Sequence, residues 1–331
     1  MEHPMNLHED KELFVDAVSI TAQQMGLPEI YVEKDYWVTL ALQRIFSSPS
    51  AEYTIFKGGT ALSKCFNFIN RFSEDVDLVL RREEGLSANQ LRHRLKRVSN
   101  VVSDVLPEID VEGITNKKGM IRKTAHTYSK VFKGDFGQAR DLIILESSWL
   151  GASEPTIQGQ VVSFIGQMMQ EQNQADLIEK YGLQPFTVTI LAPERTLCEK
   201  IISLVRFSNS VDPVTDLRMK IRHIYDLHQL LKEDNLSDFL TSSEFEMMLN
   251  RVGQDDDVSL RNNKEWLYIH PSQAMLFSAL DQTWPKLSGT YTGTFKTLVY
   301  GDLPEIDDVK KTLQRIKDRL QTMEWKLEAG D

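Results

Sequence analysis

The sequence predicts an α+β fold, with a mixed sheet flanked by helices in the first half and a mainly helical second half. Three observations predict it. Residues 53–80, YTIFKGGTALSKCFNFINRFSEDVDLVL, read as strand, glycine turn, helix and strand. Three strand-like runs, 109–114, 124–132 and 141–149, come after that βαβ-like start, which argues for a mixed sheet with helices on one side rather than a doubly wound one. Beyond about residue 165 the composition turns helical, so the chain is divided into a first domain over 1–165 and a second over 166–331, with Pro185 as an alternative boundary.

The elements follow in order. Residues 13–25 and 30–46 read as helices separated by Gly26-Leu27-Pro28. The second carries a core-facing stripe of Tyr36, Trp37, Leu40 and Ala41, and its Glu33-Lys34-Asp35 reads as surface charge that braces the domain, with Lys34 reaching a site as the alternative. In residues 53–80 the short apolar run Tyr53, Thr54, Ile55, Phe56 is broken by Lys57-Gly58-Gly59-Thr60, and a helix follows over 61–68. A second strand opens near Phe72. Leu91, Leu95, Val98, Val102 and Val105 recur at helical spacing, so 87–106 is an amphipathic helix that Pro107 ends. Residues 161–165 and 186–191 read as short strands bracketing a helix over 167–181.

In the second half, Pro193 opens a helix with the stripe Leu197, Ile201, Leu204 and Val205. Residues 214–231 read as one helix with Leu217, Ile221 and Ile224 inward, and Trp266 and Trp284 are expected to anchor the helical core. The C-terminal seam of Ile306, Val309, Leu313, Ile316, Leu320, Met323 and Leu327 is expected to pack on its own domain, a partner helix being the alternative.

The chemistry concentrates in residues 53–80. Alternation along the second strand puts Asp75, Asp77 and Val79 on one face and Val76, Leu78 and Leu80 on the other. Two neighbouring carboxylates on a half-buried face repel each other unless a cation lies between them, and Mg²⁺ or Mn²⁺ takes carboxylate oxygens together with water and phosphate. Gly58 and Gly59 lack a Cβ, so backbone N–H groups at the start of a helix can approach a triphosphate, with Thr60 and Ser73 as hydroxyl donors. Glu146 is a lone acid in the apolar strand DLIILESSW, either a third metal ligand or a structural salt bridge. A lone GG is more often a turn and a lone D-x-D a solvated strand face. Their order here specifies metal-dependent transfer on a nucleoside triphosphate.

Composition sets the bounds. At 331 residues, 41% hydrophobic and 26% charged, the chain has the make-up of a soluble globular protein of two domains. No signal peptide or membrane-length apolar run is found, and Cys65 and Cys198 read as buried free thiols, so a cytoplasmic protein is expected. The net charge of −10 argues against coating nucleic acid by bulk charge. Local basic clusters remain: Arg81, Arg82, Arg92, Arg94, Lys96 and Arg97, then Lys117, Lys118, Arg122, Lys123, Lys130 and Lys133. Each reads either as a solvated helix face or as a guide for a phosphate backbone.

The strand, GG, helix, D-x-D order resembles the DNA polymerase β-like nucleotidyltransferase superfamily. The longer string K-G-G-T-A-L-S-K…R-F-S-E-D-V-D-L resembles the AbiEii/AbiGii toxin family within it, and the resemblance runs over about residues 30–230. It implies a nucleotidyltransferase fold, with Glu146 as the third metal acid beside Asp75 and Asp77. Glu199, Lys200, Leu204 and Arg206 match E-K-x-x-x-L-x-R, which implies that Lys200 reaches the triphosphate from the second domain. Lys220, Arg222, His223, Tyr225 and Asp226 match a last motif, in which Asp226 either takes a proton or positions Lys200; its plain structural reading is a pair with Arg222. Ser73 is implied either as a phosphate ligand or as a modification site. Relatives of this kind are toxins of two-gene toxin–antitoxin and phage-defence (abortive infection) systems. The resemblance therefore implies NMP transfer from an NTP to the 3′ acceptor end of tRNA, a block of translation, and an AbiEi-type antitoxin as partner. A protein hydroxyl or small-molecule acceptor, and a non-catalytic NTP-binding module, are the alternatives.

Overall fold

A computed structural model describes residues 5–73, 75–136, 139–151, 153–260 and 262–327. The chain folds as two compact units: residues 1–67, 72–149 and 156–190 form the first, and residues 68–71, 150–155 and 191–331 the second.

The first unit begins with α1 (Lys11–Met25) and α2 (Glu29–Phe46). The Asp10 side chain caps α1 at the Leu13 N–H, and Gly26 ends it in the left-handed conformation at φ 64°. Then come β1 (Thr54–Lys57), α3 (Gly58–Phe66), β2 (Val76–Leu80), α4 (Ala88–Ser103), β3 (Glu108–Ile109), β4 (Ile121–His126) and β5 (Ile143–Ser148). β6 (Thr156–Val161), α5 (Phe164–Glu171), α6 (Ala175–Lys180) and β7 (Phe186–Leu191) complete it. Among the described residues the strands make one seven-stranded mixed sheet in the order β3-β4-β5-β2-β1-β7-β6. β2 runs antiparallel to β1 and parallel to β5, and β1 runs parallel to β7. The α+β expectation is thereby met.

Local chemistry explains the helix ends and the departures from expectation. A reciprocal Ser87–Gln90 capping box starts α4, whose stripe Leu91, Leu95, Val98 and Val102 is buried as the spacing requires. Of the run 161–165 only Val161 is strand: the Ser163 side chain caps α5 at the Gly166 N–H, so the chain turns helical there. β6 lies instead at Thr156–Val161. Its polar TIQGQV gives little apolar alternation to read. The helix expected over 167–181 breaks into α5 and α6 around Asn173, at φ 57°.

The second unit is helical: α7 (Pro193–Ser208), α8 (Pro213–Met219), α9 (Ile221–Leu230), α10 (Asp234–Thr241), α11 (Ser243–Ser259), α12 (Met275–Ser278), α13 (Leu280–Thr290) and α14 (Ile306–Thr322). Pro193 and Pro213 stand in first turns, where a missing N–H costs nothing. The helix expected over 214–231 is two, because Lys220 leaves helical geometry at φ −99° and ψ 14°. Trp266 and Trp284 are buried, as are Val309, Leu313, Ile316, Leu320 and Met323, so the C-terminal seam packs within its own unit.

Candidate active site

β1 delivers the chain to Lys57, and α3 begins at the next residue, so the glycine pair is the helix's first turn. Gly58 stands at φ +81°, a region that disfavours any side chain, and a Cβ there would collide with the Asp77 carboxylate. The glycine turn and the D-x-D strand therefore meet through an atom that is absent. Thr60 lies beneath this turn rather than in it: buried, it donates to the Asp75 carbonyl at 2.6 Å and meets Ser73 Oγ at 3.0 Å. Its hydroxyl fixes the backbone that presents Asp75. Ser73 is half-buried beside it.

The acids share a face with basic neighbours. Across the sheet, Lys57 pairs in register with Asp77, Asp77 with Glu146, and Glu146 with Lys123. Lys123 Nζ lies 2.8 Å from Glu146 Oε2, with the Glu146 side chain 40% exposed. Burial, then the charge of Asp75, then that of Glu146 push the Asp77 carboxyl up to about 7, against the opposing charges of Lys57 and Lys123. Asp75 Oδ1 is shut off from solvent and accepts no hydrogen bond, with Arg140 Nη1 3.7 Å away. A crowded acid pair with an unsaturated oxygen fits a hard divalent cation. The expected cage of Asp75, Asp77 and Glu146 is, however, not assembled. Among the described residues no three His, Cys, Asp or Glu side chains close on a single point. Glu146 has turned to Lys123.

The Glu33-Lys34-Asp35 run is not surface charge. All three side chains are buried, Lys34 completely, and each ties a different segment to α2. Glu33 accepts the N–H groups of Val131 at 2.7 Å and Phe132 at 3.0 Å. Lys34 Nζ donates to the Arg140 carbonyl. Asp35 pairs with Lys64 of α3 at 2.6 Å and accepts the Phe164 N–H at 2.8 Å. Together they fix α3 and the segment that carries Arg140.

In the second unit, Asp226 is fully buried and receives three charge-assisted bonds: Arg71 Nε on Oδ1 at 2.7 Å, Arg71 Nη2 on Oδ2 at 2.8 Å and Lys200 Nζ on Oδ2 at 2.7 Å. Burial alone would raise this carboxyl, but the charges and hydrogen bonds of Arg71 and Lys200 outweigh it and hold Asp226 well below the usual carboxylate range. It stays an anion that orients Lys200 and is a poor proton acceptor. His223, one turn earlier on α9, is driven far below its usual value by burial and by Lys200 and Lys220, and its Nδ1 accepts and donates nothing. Arg71 carries no role in the sequence reading, although it stands in the R-F-S-E-D-V-D-L string. Arg140 has no role in the sequence reading either, and Lys57 and Lys123, read there only as part of the glycine turn and of a basic cluster, prove to be charges beside Asp77 and Glu146.

The basic clusters divide. Arg92, Lys96 and Arg97 of α4 are exposed, whereas Arg94 is held by Glu83 at 3.1 Å and lies 4.5 Å from the centre of the Tyr53 ring. Lys117 and Lys130 are paired with Glu108 and Asp141, both at 2.6 Å. No described helix is long and apolar enough to cross a membrane.

Comparison with curated protein sequences finds no match. Among solved structures, the nucleotidyltransferase toxin MenT4 from Mycobacterium tuberculosis H37Rv is similar, with 14% identity, a TM-score of 0.46, and coverage of 93% of this chain and 90% of that one. The family model described as nucleotidyl transferase AbiEii toxin, type IV TA system, matches residues 40–329, most of the chain. Enzymes of this family take a nucleoside triphosphate as substrate, and a toxin of this type implies an antitoxin partner. The chain belongs to the AbiEii family of nucleotidyltransferase toxins of type IV toxin–antitoxin systems.

Proposed function

We propose that this toxin transfers a nucleoside monophosphate from an NTP to the 3′ acceptor end of tRNA, in a Mg²⁺-dependent reaction that blocks translation. The observation that carries the reading is the crowding of Asp75, Asp77 and Glu146 beside a glycine-opened helix N-terminus, with Asp77 pushed up to about 7. Asp75 and Asp77 would hold the cation, and Gly58 and Gly59 admit phosphate oxygens to the N–H groups of α3. A divalent cation held there would supply Lewis-acid charge neutralisation at the α-phosphate and would acidify the attacking hydroxyl. The 3′ oxygen bonds to the α-phosphorus as the bond to the β-phosphate oxygen breaks, and pyrophosphate leaves. Glu146, half-exposed on the strand beside Asp77, orients that hydroxyl and takes its proton. Lys200, held by Asp226 and Arg71, neutralises charge on the leaving pyrophosphate.

The basic face of α4 is the guide for the tRNA backbone. An AbiEi-type antitoxin is the partner, and phage defence in the cytoplasm is the setting. The test is incorporation of each α-labelled NTP into total tRNA with Mg²⁺, beside Asp75→Ala and Lys200→Ala. Label in tRNA that both variants lose supports the reading. Label in a protein or small-molecule fraction instead overturns the acceptor and keeps the active site, whereas incorporation that survives Asp75→Ala overturns the metal assignment.

A further inference from the structure

Arg140 has no part in the reaction as described, yet it stands against one of its acids. Nη1 is 3.7 Å from Asp75 Oδ1, with the Arg140 side chain 46% and the Asp75 side chain 32% exposed. That oxygen is closed to solvent and accepts no hydrogen bond. The guanidinium is thus near enough to offset the carboxylate's charge without saturating that oxygen with a hydrogen bond. The position is built rather than incidental. The Arg140 carbonyl is held by the fully buried Lys34, and Glu33 holds the backbone of Val131 and Phe132 in the same segment.

We propose that Arg140 is a further substrate-binding residue, a guanidinium that neutralises Asp75 before the nucleotide arrives and moves to a phosphate oxygen of the NTP once a divalent cation occupies Asp75. Two cations crowding one carboxylate repel each other, so occupancy of Asp75 by a metal ion expels the guanidinium. Its backbone stays pinned by Lys34, which limits how far it can go. A half-exposed guanidinium with a rigid fork of donors finds its best partner in the phosphates that arrive with the metal. The inference rests on the reading of Asp75 and Asp77 as the metal site.

The two halves of the exchange predict opposite changes from one substitution. Replacing the side chain leaves the Lys34 bond to the residue-140 carbonyl intact, so Arg140→Gln is expected to fold. Mn²⁺ binding is followed by electron paramagnetic resonance on the nucleotide-free wild type, Asp75→Ala, Arg140→Gln and Arg140→Lys. KM and kcat for NTP are measured on the wild type and the two Arg140 variants. With its competitor gone, Arg140→Gln binds Mn²⁺ about 3- to 10-fold more tightly, while its KM for NTP rises roughly 10-fold or more with kcat less affected. Arg140→Lys restores the wild-type Mn²⁺ midpoint but only part of the KM, because it keeps the charge and loses the fork. An unchanged Mn²⁺ midpoint in Arg140→Gln, with binding that Asp75→Ala abolishes, overturns the Arg140 inference alone. Wild-type Mn²⁺ binding that Asp75→Ala does not weaken overturns the metal reading, and the inference falls with it.

Discussion

The carboxylate of Asp77 occupies the space into which a side chain at Gly58 would project. The two residues stand nineteen positions apart in sequence, one opening α3 and the other the second residue of β2. Each sets the other's limits. Gly58→Ala places a Cβ at φ +81° and against that carboxylate, so it costs about 1–2 kcal/mol in backbone strain alone and displaces Asp77. The expected result is a Tm a few degrees lower and kcat/KM reduced on the order of 100-fold, read by thermal denaturation and by incorporation kinetics. Asp77→Asn is the counterpart: it removes like-charge repulsion, so it abolishes incorporation while raising the Tm of the nucleotide-free protein.

The bonds to Asp226 separate chemistry from folding. Asp226→Ala removes the anion that the buried Arg71 and Lys200 share and is expected to destabilise the protein by about 3–5 kcal/mol, with activity lost as a consequence. Lys200→Met keeps the two-bond Arg71–Asp226 pair. Its denaturant midpoint should fall far less than that of Asp226→Ala, while incorporation is lost. Equal destabilisation of the two variants would make Lys200 a purely structural residue.

Exposure decides which surface charges to reverse. Arg92, Lys96 and Arg97 are exposed along α4, whereas Arg94 is tied to Glu83 and Tyr53. A triple reversal of Arg92, Lys96 and Arg97 to Glu should raise KM for tRNA roughly 10-fold or more and flatten its salt dependence, with KM for NTP unchanged. Arg94→Glu acts instead on stability, because it sets two acids together at Glu83. A tRNA KM that ignores the triple reversal rules out α4 as the RNA face.

His228 sets an acid limit on stability. Burial, then the charge of Lys232, lowers its imidazole to about 4 against an ordinary 6.5, with Asp308 opposing, and its Nδ1 meets Thr312 Oγ1 at 2.7 Å. The unfolded chain takes up this proton more readily than the folded one. The contribution is therefore whole above pH 6.5 and disappears as pH falls toward about 4, to a total of ~3 kcal/mol at most. Denaturant midpoints between pH 7 and 4 should decline less steeply in His228→Asn than in the parent.

Much of the fold was legible because it rests on periodicity. The stripe of α4, the seam of α14 and the Val76, Leu78 and Leu80 face of β2 are buried where their spacing places them, although Val79, on the acids' face, is buried as well. The glycine turn and the acids were legible as well, because their residue types are unusual at such close range. Harder to read were features that only tertiary structure creates. β6 is polar at an edge of the sheet, and Asn173 and Lys220 break helices through local backbone geometry that side-chain pattern does not encode. Charge was misread most. Glu33, Lys34 and Asp35 look like a solvated surface because burial of three consecutive charges is rare, and it is partners 29 to 129 residues away that offset its cost. Arg71 reaches Asp226 across 155 residues, a pairing that no local window contains.

The buried charges of α2 also order events during synthesis. Asp35 completes its bonds only with the Phe164 N–H, and Lys34 only with the Arg140 carbonyl, while β1 gains its parallel neighbour at Ile190. Until those residues leave the ribosome, α2 carries unsatisfied charge that resists burial, and neither α3 nor the segment bearing Arg140 has an anchor. A nascent chain that already contains the glycine turn and both aspartates therefore cannot hold them in working geometry. For a toxin of this family, the site takes shape only once the chain has emerged to about residue 190, which leaves the earlier part of elongation for a restraining partner to accumulate.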